Sequence, residues 1–145
     1  MSVDARYLRS FRCFEDLSDE QREAVAVHAE AECFYAGHTL FEENEPGRYV
    51  FLLLEGEVEV LYALEEQMQE CVDKMGPGEI IGCSALIPPY TYDSTTRSVT
   101  RIEVLVLDAK GLLKLMQQDC SLGFSVQQHI IRILMDQIVK FRLGA

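Results

Sequence analysis

Two short segments hold most of the side chains from which a binding site could be built. The first reads Gly78-Glu79-Ile80-Ile81-Gly82-Cys83-Ser84-Ala85-Leu86 and the second Tyr92-Asp93-Ser94-Thr95-Thr96-Arg97. Beyond Ile81, the small residues Gly82, Cys83, Ser84 and Ala85 allow close approach to the backbone, whose N–H groups could then donate to an anion. Ser84 adds a hydroxyl. In the second segment Tyr92 offers one neutral donor, and Asp93 would set a negative charge beside any bound anion. Ser94 adds another hydroxyl. Arg97 is the cation of the pair of segments, five residues past Tyr92. On a strand that odd offset points it to the opposite face unless a bulge inverts it. Cys83 has two readings: a thiol activated at the start of a helix, or a small buried hydrophobe.

Other chemistries find little support. The histidines are His28, His38 and His129, in three different parts of the chain, and no His-x-His occurs. A jelly-roll metal enzyme would need closely spaced histidines with a carboxylate. The five cysteines form no Cys-x-x-Cys and read as free thiols in a reducing compartment. No nucleophile stands with a base in sequence, so neither catalysis, a metal nor a cofactor is expected. The net charge of −11, with 13 Lys and Arg, argues against nucleic acid and against anionic membranes. There is no signal pattern and no apolar run near 18 residues, so the expected location is the cytoplasm.

The elements that must position these segments fall into three parts of one domain spanning residues 1–145. Residues 4–33 predict helix. Ser18-Asp19-Glu20-Gln21 forms a capping box, followed by a loosely apolar face of Ala24, Val25, Val27, His28 and Ala31. Tyr7, Leu8, Phe11 and Phe14 predict a short preceding helix that turns its aromatics inward. Residues 34–107 predict strands. Gly37, Pro46-Gly47, Gly56, Gly76-Pro77-Gly78 and Pro88-Pro89 punctuate short apolar runs at intervals near ten residues. Tyr49–Leu54 predicts a buried strand, and Glu57-Val58-Glu59-Val60 one with a wet face. Residues 108–143 return to helix, with Asp108 as one cap and Asp119 or Ser121 as the next. In the longer helix Phe124, Gln127, Ile131, Leu134, Ile138 and Phe141 alternate spacings of three and four, a heptad-like seam.

This order, together with the Gly-Glu cassette and the Asn44-Glu45-Pro46-Gly47 turn before Val50–Val58, resembles the cyclic-nucleotide-binding domain, the sensory half of catabolite-activator-type regulators. The resemblance covers roughly residues 8–142. It implies a mainly β fold with flanking helices: a β jelly roll (double-stranded β-helix), N-terminal helices and two C-terminal helices. It also implies a regulatory, non-enzymatic sensor and a homodimer through the terminal helix, with Phe124, Ile131, Leu134, Ile138 and Phe141 at the interface. In the resembled site a Glu accepts from the ribose hydroxyl and an Arg holds the cyclic phosphate. Here Cys83 stands in the Glu place and Tyr92 in the Arg place. The family's transcription regulators continue into a helix-turn-helix reader, and the residues up to Ala145 leave no room for one.

Three readings follow. The first is a small-molecule-sensing regulatory domain whose ligand, a nucleotide among the candidates, is held without the Glu–Arg pair. The second is an orthodox cyclic AMP or cyclic GMP sensor with a rebuilt phosphate site. The third is a ligand-free interaction or dimerisation module.

Overall fold

The computed structural model describes residues 3–65 and 68–143, apart from the side chain of Phe141. The leading segment opens with a 3-10 helix over Ala5–Ser10, followed by helix α1 over Asp19–Ala26. The capping box is formed in full. Ser18 Oγ accepts from the Gln21 N–H, and the Gln21 side chain accepts from the Ser18 N–H. Leu8, Phe11 and Phe14 are buried, whereas Tyr7 and Val27 point to solvent.

Eight strands follow: β1 (Ala29–Phe34), β2 (Thr39–Phe41), β3 (Tyr49–Glu55), β4 (Val58–Glu65), β5 (Met68–Met75), β6 (Ile80–Ile81), β7 (Thr95–Ser98) and β8 (Ile102–Asp108). They form two antiparallel sheets, one ordered β1-β8-β3-β6 and the other β2-β7-β4-β5. This is the jelly roll. Its first strand corrects the sequence reading, which carried helix through residue 33. Ala29–Phe34 pairs along its length with β8, from Ala29 opposite Leu107 to Phe34 opposite Ile102. The apolar run of β3 is explained by its central place: Val50, Phe51, Leu52 and Leu53 are all buried. A strand covered on both faces loses the alternation that a half-exposed strand keeps.

Two helices close the chain, α2 (Ala109–Gln118) and α3 (Cys120–Arg142). Each starts on an aspartate. Asp108 accepts from the Gly111 N–H at 2.9 Å, and Asp119 accepts from the Leu122 N–H at 3.1 Å. Such caps satisfy donors that have no partner inside the helix. The inner face of α3 enters the core through Leu122, Val126 and Ile130. Its outer face is apolar as well. Phe124 is 64% exposed, Ile131 55%, Leu134 37% and Ile138 42%. Beyond Ile130 the helix is held by partly buried Ile133 and by surface ion pairs, Arg12–Asp136 at 3.5 Å and Lys140–Asp73 at 2.6 Å. No helix among the described residues is long and apolar enough to cross a membrane.

The leading segment is fastened by a residue that sequence reasoning passed over. Arg22 is buried, and its guanidinium donates to the carbonyls of Phe14, Glu15 and Leu17 and to the carboxylate of Asp19. Arg22→Met should therefore cost about 3 kcal/mol, because buried carbonyls lose their donors. Urea denaturation checks this. Arg6→Ala, at an exposed ion pair, should leave the midpoint unchanged.

Candidate functional site

The cassette begins where β6 pairs with β3, Ile81 opposite Phe51 and Ile80 opposite Leu52. The chain then turns at Gly82, whose φ of 83° is in the left-handed region. A Cβ at Gly82 would stand 3.2 Å from Tyr92 Cε1 and 3.3 Å from Phe41 Cε2, so bulk is excluded there too. Cys83–Leu86 makes one 3-10 turn, with the Ala85 N–H donating to the Gly82 carbonyl at 3.0 Å. Four residues supply little aligned dipole for an anion.

The second segment is held by the Asn44–Gly47 turn. The Asn44 N–H donates to the Tyr92 carbonyl at 2.8 Å, the Tyr92 N–H to Glu45 at 2.9 Å, and the Gly47 N–H to Tyr90 at 2.8 Å. This ladder turns Tyr92 inward. Its ring stacks on Phe41, with centroids 3.8 Å apart and planes within 12°. Its hydroxyl donates to the Tyr49 carbonyl at 2.6 Å and accepts from the Tyr49 N–H at 3.0 Å. Burial raises the Tyr92 hydroxyl pKa, and these backbone contacts partly offset the rise. Tyr92 is thus fully engaged as a core residue.

A cavity of about 350 Å³ lies between the cassette, sheet β2-β7-β4-β5 and α3. Ile81, Gly82, Cys83, Ser84, Asp93 and Ser94 all line it. Ala85 does not; it is buried against the Gly47 turn. Ser84 and Asp93 meet across the mouth, Ser84 Oγ accepting from the Asp93 N–H at 3.3 Å. Arg97 is not brought to the cavity. It sits opposite Glu59 on β4 and pairs with that carboxylate at 3.9 Å, as the strand alternation dictates. Ile87, Pro88, Pro89 and Thr91 form the rim, while Tyr90 points outward. From α3, Ile133, Leu134 and Gln137 complete the wall. These three were not singled out for the pocket in the sequence, since they meet it only through the return of α3.

No Lys, Arg or His is found among the described residues that line this cavity. Arg12 and Lys140 border a smaller cavity of about 200 Å³ that shares Met75, Ile80, Ile133 and Gln137 with it, and both pair with aspartates. Burial pushes the Cys83 thiol up to about 12, with Cys13 and Asp93 adding to the shift. That is the reverse of an activated thiolate. Among the described residues one group could share a metal ion, Glu15, Asp16 and His129, whose ligand atoms lie within 4.8 Å of one another. The sequence reading, which found the histidines scattered, missed it. His129 Nε2 already meets Asp16 Oδ2 at 2.7 Å, and Arg12 and Arg132 border the same hollow. The group therefore ties the leading segment to α3.

The family model that matches the chain, over residues 31–119, is the cyclic nucleotide-binding domain. A CRP-like cAMP-activated global transcriptional regulator of Mycobacterium tuberculosis is 25% identical over 54% of this chain and 35% of its own length. The chain thus spans about a third of that curated relative. A solved protein of Geobacter metallireducens, named as a candidate cyclic nucleotide-binding protein, is 29% identical over 94% of this chain and 98% of its own, with a TM-score of 0.85. A cyclic nucleotide-binding domain from Methylobacillus flagellatus shares the fold at 21% identity and a TM-score of 0.82, over 97% and 83% of the two chains.

Two expectations follow from this geometry. Tyr92→Phe keeps the stack but leaves the Tyr49 N–H without its acceptor, and should cost about 1–3 kcal/mol in chemical denaturation. Tyr92→Arg should cost more, because a guanidinium offers the Tyr49 N–H no acceptor and would itself be desolvated in the core. The second expectation concerns the thiols. Burial also raises Cys13 to about 12, so at pH 8 both Cys13 and Cys83 stay protonated in the folded state. A thiol-reactive dye should label Cys33, Cys71 and Cys120 rapidly and these two only on unfolding. Rapid labelling of Cys83 would contradict the inward thiol.

Proposed function

The chain belongs to the cyclic nucleotide-binding domain family, and on that footing we propose that it is a regulatory domain that senses a small molecule in the cavity beneath α3, without the Glu–Arg pair. The observation that carries this reading is the fate of the Arg place. Tyr92 fills it, and its only polar group is spent on the Tyr49 backbone. A phosphate there would lose a charge-assisted contact that contributes about 1.5–3 kcal/mol. It would also face Asp93. The frame of the site is nonetheless retained: the left-handed Gly82, the tight turn and a lined cavity.

On this reading the domain is non-catalytic and works in the cytoplasm, where its five cysteines remain thiols. It signals by a change in α3, whose residues share the cavity wall. Its acidic balance disfavours nucleic acid and anionic membranes as partners. Cyclic AMP and cyclic GMP should bind with Kd above about 100 μM, one to two decades weaker than a site with the Arg in place. Isothermal titration measures this, and a low-micromolar Kd for either nucleotide would restore the orthodox sensor.

The partner for the outer face of α3 is, in the same proposal, a second copy of the chain. Phe124, Ile131, Leu134 and Ile138 recur at heptad spacing, and all are at least partly exposed in the single chain. Phe141 continues that spacing, and its side chain lies outside the described residues. Large apolar groups left in water invite association. Sedimentation at tens of micromolar should give a dimer, and Ile131→Glu should yield a folded monomer. A wild-type monomer at that concentration would remove the interface.

A further inference from the structure

The chemistry of the cavity lining carries the functional reading further, to the class of ligand, and the step rests on that cavity being the sensing site. One wall is apolar, built from Phe41, Val60, Met75, Ile81 and, across it, Ile133 and Leu134 of α3. The rest of the lining includes the polar side chains of Tyr62, Ser84, Thr91 and Asp93. At about 350 Å³ the space is near the small end of the range for ligand pockets, about 300–1,000 Å³. Asp93 is exposed at the mouth and makes no ion pair among the described residues. Its carboxylate meets only the Ser84 hydroxyl, at 3.4 Å. Glu43 stands on the same side, anchored to the Ala63 N–H at 3.1 Å. The field at Tyr62 is correspondingly negative. Burial first, then Asp93 and Glu43, hold its hydroxyl above the usual tyrosine range. An anion entering this space meets no compensating cation, whereas a protonated amine meets a carboxylate with no competing partner.

We propose that the cavity selects a small organic cation, with an apolar body against the Phe41–Leu134 wall and a protonated amine at Asp93. The net charge of −11 likewise favours the approach of a cation.

The test is a shape-matched series that varies only in charge: tryptamine as cation, 3-ethylindole as neutral form and indole-3-propionate as anion. Each is titrated into the isotope-labelled protein, and amide shifts at Ser84, Asp93 and Thr96 are followed. Cyclic AMP is titrated in parallel. Tryptamine should bind at least about tenfold tighter than indole-3-propionate, with 3-ethylindole between them. Asp93→Asn, at an exposed position, should cut tryptamine affinity about threefold or more and leave 3-ethylindole unchanged. Should that variant not fold, raised salt must shrink the advantage of tryptamine over 3-ethylindole in the wild type. Equal or tighter binding of the anion, or of cyclic AMP, at the same amides overturns cation selection and leaves the cavity as a ligand site. Silence of those amides to all four compounds overturns both.

Discussion

The hydroxyl of Tyr92 sits between the N–H and the C=O of Tyr49, and much of the site follows from that position. Tyr49 opens β3, the central strand of one sheet, while Phe41, on which Tyr92 stacks, ends β2 at the edge of the other. One side chain therefore satisfies two backbone groups and bridges two layers. Leaving such groups unpaired in the interior costs free energy comparable to a lost hydrogen bond each. The neighbouring Gly82 is constrained in turn. Its bare Cα is what allows the two rings to lie where they do.

This arrangement changes the logic of the pocket. A guanidinium in that place has donors only and could not serve the Tyr49 N–H, whereas the phenol both donates and accepts and so is held against the fold. On the proposed reading, binding chemistry falls to Ser84, Asp93 and Tyr62 and to the apolar part of the lining. The absence of a cation at position 92 and the rigidity of the frame around it have one source, the Tyr92 side chain.

Much of the architecture was legible in the sequence because it is written in local chemistry. Ser18 with Gln21, Asp108 and Asp119 each mark a helix start by a side chain that reaches a nearby N–H. Arg97 was named with the binding residues, and strand alternation supplied the reason against it: it pairs with Glu59 instead. The failures lie where partners are distant. Ala29–Phe34 carries Glu30 and Glu32 with Ala31 between them, and only Ala29 is fully buried. Its strand state comes from pairing with β8, whose partner residues lie about 70 to 80 positions further along the chain. Arg22 was opaque for a similar reason, since irregular carbonyls leave no pattern. The role of Tyr92 was half legible: the missing charge could be read, but the engagement of its hydroxyl with Tyr49 could not.

Helix α3 is anchored unevenly, and that has a mechanical consequence. Up to Ile130 it is rooted in the core; past Ile133 it rests on the cavity wall and on two solvent-screened ion pairs. The helix is thus a lever with its fulcrum near Ile130. A rise of 1.5 Å per residue places Lys140 about 15 Å beyond that point. A small tilt forced at Ile133 or Leu134 is therefore magnified several-fold at the tip, before any secondary structure has to melt.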